Sequence, residues 1–222
     1  MSWPKLVSRF LVTLVLAGCG GPQTPAAEPS ARAAATGTSP AANPQQVARA
    51  RLRAVIRDQS FLEHLPESVR KSTITEPFSG RMVILYMVDD RGAARGAQAA
   101  DLAESGVTRD ALRAVVEWNL SNLLRDPVSC TSHTLGEPAH HEYYESSRLL
   151  LDKQWADLTA RSGSVVVAVP SNDTLFVACN PTPDTLQKLS VVVQNTFPRS
   201  PRPVSPALLS WSADGFRELP AP

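Results

Sequence analysis

The segment Tyr143–Val177, YYESSRLLLDKQWADLTARSGSVVVAVPSNDTLFV, predicts much of the fold. Ser146 or Ser147 can cap a helix, because a serine hydroxyl accepts a hydrogen bond from a free N–H of the first turn. Apolar residues then recur at steps of three and four, which indicates one apolar helical face. Gly163 stands where a helix needs a left-handed C-cap. The apolar residues of this face are Leu150, Leu151, Trp155 and Leu158.

The second half of the segment predicts two strands joined by a polar corner. Residues 164–169 form an almost unbroken apolar, β-branched run, which is typical of a strand covered on both faces. Pro170 should end this strand, since proline cannot donate to the hydrogen-bond ladder. Asn172 and Asp173 favour a turn, and a second strand is predicted over Thr174–Val177.

The N-terminus has the features of a bacterial lipoprotein signal. Two basic residues precede an apolar core, Phe10–Ala17, that is too short to span a bilayer of about 30 Å. The sequence Leu16-Ala17-Gly18-Cys19 resembles a lipobox. We therefore expect residues 1–18 to be a cleaved signal peptide and Cys19 to be the lipidated first residue of the mature protein. The alternative is an ordinary signal peptide with an incidental cysteine.

Lipidation at Cys19 would make the membrane a partner of this protein, since two or more acyl chains anchor a protein stably. Gly20 rather than aspartate follows the cysteine. By resemblance to lipoprotein sorting, this favours the periplasmic face of the outer membrane over the inner membrane. Residues 19–43 are rich in Ala, Pro and Ser and are predicted to be a disordered tether. The folded domain is predicted to cover residues 44–222.

The other two cysteines and the net charge narrow the class of protein. An exported protein meets an oxidising compartment, so we expect Cys130 and Cys179 to form a disulfide. Two separate buried thiols are the alternative.

Lys plus Arg is 22 and Asp plus Glu is 21, so the chain is close to neutral. A nucleic-acid partner is therefore not expected, because it would require a basic excess.

The remaining elements are predicted from apolar periodicity and turn residues. Predicted helices cover residues 44–59, 97–106, 108–125 and 182–197. A strand is predicted over 81–89, with hairpins around 136–138 and over 208–219. Helices and strands are mixed rather than strictly alternating. We therefore expect a single α+β domain, with a mixed β-sheet packed by about four helices.

Three parts of the chain are Glu76–Leu124, Tyr144–Trp155 with Val166–Asp173, and Val204–Glu218. Together they resemble the YtpQ-like family, a bacterial domain of unknown function. Ser171-Asn172-Asp173 stands where the family has a Pro-x-Arg-Asp corner, so the arginine of that corner is missing here. The resemblance implies the fold and its boundary. It implies no activity.

The polar residues Ser171, Asn172 and Asp173 follow the predicted central strand and could contact a ligand. A catalytic serine would need a Gly-x-Ser-x-Gly elbow and a histidine. The sequence is Val-Pro-Ser-Asn-Asp instead, so we predict no catalytic residue there.

A second group of polar residues surrounds the predicted hairpin at 136–138. Adjacent histidines on an extended segment point to opposite faces, so they would not readily share one tetrahedral metal ion. A polar hairpin tip is the favoured interpretation, no metal or other cofactor is predicted, and a metal-binding lipoprotein is the alternative. The residues are His133, His140, His141 and Glu142.

Asp89, Asp90 and Glu104 could supply paired carboxylates for acid–base chemistry. A turn after the strand is the favoured explanation of the two aspartates. The tryptophans at 118, 155 and 211 are predicted to lie in the core rather than to stack on a sugar.

The sequence as a whole predicts a lipid-anchored envelope protein whose domain binds an unidentified envelope protein and catalyses no reaction. The alternative is an envelope hydrolase with its site near Ser171–Asp173. A deep pocket with convergent polar groups at that corner would favour the enzyme. An exposed apolar patch of several hundred Å² would favour the binding module.

Overall fold

The computed structural model describes residues 43–90, 93–130 and 144–220. All of them belong to one compact unit, Ala41–Pro222. Several predictions lie outside the described residues: the signal peptide, Cys19, the tether up to residue 42, and the hairpin at 136–138 with its histidines.

Helices and strands are interspersed along the described residues. The helices are α1 Pro44–Ala50, α2 Gln59–Glu63, α3 Glu67–Ser72, α4 Ala99–Ser105, α5 Arg109–Leu123, α6 Asp152–Ser162 and α7 Pro183–Thr196, with 3-10 segments at Glu145–Leu150 and Phe197–Arg199. The strands are β1 Leu52–Asp58, β2 Thr75–Pro77, β3 Met82–Asp90, β4 Ala93–Gly96, β5 Val165–Ser171, β6 Thr174–Cys179, β7 Leu208–Ser212 and β8 Gly215–Glu218.

The strands form two antiparallel sheets. The first sheet has the order β1-β3-β2, and β4 also pairs with β3. The second sheet has the order β6-β5-β7-β8. Helix α5 packs against β1, while α6 and α7 pack against β5. This confirms the α+β class with helices packed on β-sheet, and the strands are divided between two sheets.

Strand β5 is covered on both faces, as the sequence predicts. All seven of its residues are buried. Val167 contributes to the main core, which also holds Trp155 of α6. Val166 belongs to a second apolar cluster with Leu189 and Val193 of α7. The order of helix, glycine turn, strand, polar corner and strand is therefore confirmed, and Gly163 takes a positive φ of 79° at the end of α6.

Two details of this segment differ from the prediction. Strand β5 continues past Pro170 to Ser171, because the pairing with β6 shifts register between Ala168 and Ser171 and accommodates the proline. Ser146 and Ser147 do not cap α6. They lie in the 3-10 segment Glu145–Leu150, fully buried.

The predicted helix over residues 44–59 is wrong beyond residue 50. Helix α1 ends at Ala50, and Leu52–Asp58 pairs with β3 along its whole length as strand β1. The run is apolar and β-branched enough to be buried on both faces of a sheet, and this tertiary burial overrides the helical spacing. Arg57 of this strand is only 5% exposed.

Among the residues that the structure describes, side chains rather than another strand cover the outer edge of β1. An uncovered edge would expose a row of carbonyl groups that could pair with a second chain. Alternate carbonyls of β1 instead accept hydrogen bonds from α5 and the 3-10 segment. The bonds join Asn119 Nδ2 to the Leu52 oxygen at 2.9 Å, Ser147 Oγ to the Ala54 oxygen at 2.6 Å, and Ser146 Oγ to the Ile56 oxygen at 3.5 Å.

The other predicted helices are confirmed to within a few residues. Thr108 caps α5 by accepting a hydrogen bond from the Ala111 N–H, and Thr182 caps α7 in the same way through the Thr185 N–H. Gly106 ends α4 in the left-handed conformation, with a φ of 63°. The predicted terminal hairpin is β7 paired with β8.

Cys130 and Cys179 lie at disulfide distance, with their Cα atoms 6.0 Å apart. Cys130 follows α5, which packs on the first sheet, and Cys179 ends β6 at the edge of the second sheet. A bond between them would therefore tie the two sheets together.

Candidate functional site

The Ser171–Asp173 corner lies at the end of β5, where its polar atoms are engaged by neighbouring segments. Ser171 is 2% exposed and Asn172 is fully buried, while Asp173 is exposed. The Asn172 side-chain oxygen accepts a hydrogen bond from the Arg57 guanidinium of β1. The Asn172 N–H donates to the Arg202 carbonyl at 3.2 Å. The corner thus joins β1 to the loop that precedes β7.

The Asp173 carboxylate is held in its ionised form. It accepts a hydrogen bond from Ser171 Oγ at 2.5 Å and another from Thr174 Oγ1 at 3.3 Å. The Ser171 bond, with smaller contributions that include the charge of Arg202, outweighs burial and lowers the pKa of Asp173. The serine hydroxyl therefore serves as a donor to this carboxylate.

An open cleft of about 560 Å³ lies next to the Ser171–Asp173 corner. Its volume is within the range of roughly 300–1,000 Å³ that is typical of ligand sites. We call it the Arg57 cleft. Arg57 and Arg202, which contact Asn172, form part of its lining, so the corner lies directly behind the wall of the cleft. The lining residues are Arg57, Asp58, Ser60, Phe61, His64, Arg81, Phe197, Pro201, Arg202, Pro203 and Pro206.

Contacts with Asn172 and Phe61 help to fix Arg57 in the wall. Its guanidinium donates to the buried Asn172 side chain and lies over the Phe61 ring, with Cζ 5.2 Å from the ring centroid. A cation over an aromatic face is attracted by the negative face of the ring. Because Arg57 is 5% exposed, its orientation is set by the protein rather than by solvent.

Asp58 is the one acidic residue among the described residues that line the cleft. It caps α2, since its Oδ1 accepts a hydrogen bond from the Ser60 N–H at 2.8 Å, and its Oδ2 lies 3.5 Å from Arg81 Nε. Burial alone would raise the pKa of Asp58. The bonds from Ser60 and the ion pair with Arg81 together outweigh burial and lower it.

Ser60, His64 and Asp58 have the residue types of a catalytic triad but not its arrangement. His64 Nδ1 lies 2.7 Å from the backbone oxygen of Ser60. Because a carbonyl oxygen can only accept a hydrogen bond, Nδ1 must be the donor. The Asp58 carboxylate accepts a hydrogen bond from the Ser60 backbone N–H. A triad requires the serine to donate to the histidine and the histidine to donate to the acid. Here the acid accepts from the serine backbone N–H, and the histidine donates to the serine backbone oxygen.

A second cavity of about 570 Å³ lies between α5 and the start of α6. Trp118 lines it and is 69% exposed, so the prediction that Trp118 lies in the core is wrong. The side chain falls on the solvent side of α5, opposite the stripe that packs on β1. Trp155 is fully buried as predicted, and Trp211 is partly buried against the core. Acidic and basic residues both line this groove.

The carboxylates considered for acid–base chemistry are occupied by structural partners. Asp89 accepts a hydrogen bond from Tyr144 Oη at 2.8 Å. Arg51 lies 3.5 Å from Asp90 and 3.8 Å from Glu104, so one guanidinium bridges the two carboxylates. In the ranges 43–90, 93–130 and 144–220, no group of three or more His, Cys, Asp or Glu residues is placed to hold a metal ion.

The structure contains a buried ion pair that the sequence analysis did not single out. Arg148 donates to Glu145 through Nε at 2.7 Å and Nη2 at 3.3 Å, and both side chains are almost fully buried. Arg148 Nη1 also donates to the Asp126 carbonyl at 2.8 Å. The spacing of three residues between Glu145 and Arg148 was the available signal. The pair joins the 3-10 segment to the end of α5.

The arginines of the Arg57 cleft were also not singled out as site residues. Arg57, Arg81 and Arg202 are far apart in the sequence, and the pairing of β1 with β3 and the contact of Asn172 bring them together. Apolar residues alternate at Leu52, Ala54 and Ile56, and this pattern indicates a strand. Recognition of that strand would have placed Arg57 near the end of a sheet.

Comparisons of this chain with family models, with curated proteins and with solved structures give no match. The likeness to the YtpQ-like family therefore stays an expectation from the sequence. Within the part of the chain that the structure describes, no helix is long and apolar enough to cross a membrane.

Proposed function

We propose that this chain is a lipid-anchored protein of the bacterial cell envelope, and that its folded domain binds an envelope component without catalysing a reaction. The lipobox Leu16–Cys19 supports the anchor. The Arg57 cleft, with its size and its polar and aromatic lining, supports a ligand site, which either a binding domain or an enzyme would have.

One observation carries the choice of binding over hydrolysis. Ser171 donates its hydroxyl to Asp173, a carboxylate whose pKa is lowered, and His64 Nδ1 donates to the backbone oxygen of Ser60. A serine nucleophile must pass its proton to a neighbouring base. A carboxylate with a lowered pKa is a weaker base than usual, so it is poorly suited to this task. These contacts fit a rigid wall for a bound ligand.

The test of the envelope address is the intact mass of the full chain purified from membranes of the cells that produce it. We expect a polypeptide that begins at Cys19 and carries an added acyl mass. A parallel measurement after reduction should add the mass of two hydrogens, from the Cys130–Cys179 bond. A chain without acyl mass would contradict the anchor, and a chain whose mass is unchanged by reduction would contradict the disulfide.

A further inference from the structure

We propose that the Arg57 cleft binds an oxyanion, a phosphate or a carboxylate group, carried by a small ligand that also has an apolar ring or chain. This inference rests on the proposed binding function and adds the chemistry of the ligand.

The charges of the cleft lining favour an anion. Arg57, Arg81 and Arg202 line the cleft together with His64, and Asp58 is the one carboxylate among the described lining residues. The lowered pKa of Asp58 keeps it ionised, and its partners are Arg81 and Ser60. The described lining therefore keeps an excess of positive charge. Planar guanidinium groups match the geometry of phosphate and carboxylate oxygens and can donate two parallel hydrogen bonds.

Asp173 is an acidic group outside the described lining that interacts with one of the lining residues, Arg202. Its pKa is lowered in part by the charge of Arg202, so the two side chains attract each other. Its carboxylate already accepts hydrogen bonds from Ser171 and Thr174. An incoming oxyanion would therefore meet Arg202 from the cleft side, while Asp173 remains hydrogen-bonded at the corner behind it.

The same cleft has an apolar side. Phe61 is 38% exposed and Phe197 is half-buried, and both rings line the cavity. The prolines Pro201, Pro203 and Pro206 complete this side. Proline has little conformational freedom to lose, so a ligand that packs on these residues immobilises few side-chain torsions. A ligand with an apolar body next to its charged group uses both sides of the cleft.

The test is a calorimetric titration of the full chain with 4-nitrophenyl phosphate, which combines an aromatic ring with a phosphate. Inorganic phosphate supplies the charged group alone. The anion of 4-nitrophenylacetic acid supplies a carboxylate on a nitrophenyl ring, and 4-nitrobenzyl alcohol is the neutral counterpart. We expect the two anionic ring compounds to bind at least about tenfold more tightly than the alcohol, because charge-assisted hydrogen bonds to arginine are worth more than neutral ones. Their affinity should fall as salt is added.

Exposed arginines allow the site to be tested without disturbing the core. Arg81→Gln and Arg202→Gln should each weaken 4-nitrophenyl phosphate about five- to tenfold, since each removes a partly exposed charged donor. Arg161→Gln is the matched control, because Arg161 is an exposed arginine in the last turn of α6 and does not line the cleft. Equal weakening by all three variants would show a diffuse charge effect and would overturn the inference.

The remaining outcomes separate this inference from the proposed function. Equal affinity for 4-nitrobenzyl alcohol, or no binding of any anionic probe, would overturn the oxyanion inference and leave a non-catalytic domain standing. Release of 4-nitrophenolate, lost in Ser60→Ala or Ser171→Ala, would overturn the non-catalytic function while the anion site remained. Tighter binding of water-soluble dihexanoyl phosphatidic acid than of 4-nitrophenyl phosphate would support a lipid phosphate as the source, and the reverse order would support a soluble one.

Discussion

Two buried arginines, Arg148 and Arg57, show how the same side chain can serve the structure or a site. The Arg148 guanidinium is enclosed by Glu145 and by backbone carbonyls at the end of α5. The Arg57 guanidinium contacts the Asn172 amide on one side and lines an open cleft on the other. A buried charge surrounded by protein groups holds segments together, whereas a buried charge at a cleft wall can also meet a ligand. Stability and binding should therefore respond to different substitutions.

The largest effect is expected from Arg148→Met. This substitution leaves Glu145 buried without its ion-pair partner, and the free energy of unfolding should fall by about 3–5 kcal/mol. Urea denaturation measures the loss. The double variant Glu145→Leu with Arg148→Met should be less destabilised than the single variant, because it leaves no unpaired buried charge. If the double variant loses the sum of both single effects, the pair is not coupled as described.

We expect Cys130 and Cys179 to form a disulfide, and breaking it should give the next largest effect, again on stability rather than on binding. Cys130→Ser should lower the free energy of unfolding by about 2–4 kcal/mol, because the bond closes a loop across a sequence separation of 49 residues. Reductant should destabilise the wild-type chain by a similar amount and leave the variant unchanged. Affinity for 4-nitrophenyl phosphate should stay within about twofold, and a large loss of affinity would connect the bond to the cleft.

Ser147→Ala tests the covering of the β1 edge. The Ser147 hydroxyl is fully buried and donates to the Ala54 carbonyl at 2.6 Å. Its removal leaves a buried carbonyl without this donor, which should cost about 1–2 kcal/mol in urea denaturation. Ser121→Ala is the control, because Ser121 is exposed on α5 and should change the stability by less than about 0.5 kcal/mol. Equal losses of stability in Ser147→Ala and Ser121→Ala would contradict the conclusion that the Ser147 hydroxyl covers the edge of β1.

Asp58→Asn should have the smallest effect on stability and an opposite effect on binding. The pKa of Asp58 is lowered below its ordinary value of 3.8 in the folded protein, so its ionisation stabilises the fold above that pH. This contribution is lost as the pH falls through the lower folded value. Urea denaturation between about pH 5 and pH 2 should therefore show a shallower acid loss in Asp58→Asn than in the wild type.

The same substitution should tighten 4-nitrophenyl phosphate at neutral pH, because it removes the one described acidic group of the cleft lining. Weaker binding by Asp58→Asn would indicate that Asp58 is needed to position Arg81. In that case the affinity for 4-nitrophenyl phosphate would depend on the ion pair between Asp58 and Arg81 rather than on the excess of positive charge in the lining.

Local patterns in the sequence suffice to predict two helix caps and the strand-rich centre of the fold. Thr108 and Thr182 cap their helices through their own hydroxyls, and β5 is a continuous β-branched run, so neighbouring residues suffice to predict them. Strand β1 is different, because its apolar residues fit both a helical face and a strand buried on both sides. Only its pairing with β3 and its burial decide between them.

The cleft could be predicted even less well than β1. Its basic residues come from β1, from the start of β3 and from the loop before β7, and no spacing in the sequence connects these segments. The corner at Ser171–Asp173 was predicted as a turn from its residue types alone. That Asn172 would hold Arg57 in place follows only from the packing of the two sheets.

The most direct test of this account is nuclear magnetic resonance mapping of the full chain with 4-nitrophenyl phosphate, following backbone amides and arginine Nε–H groups. The account predicts that the largest shifts occur at Arg57, Phe61 and His64 and in the loop around Arg202, and that 4-nitrobenzyl alcohol does not reproduce them at the same concentration. Largest shifts around Trp118, or equal shifts with the neutral alcohol, would contradict the assignment of the Arg57 cleft as the anion-binding site.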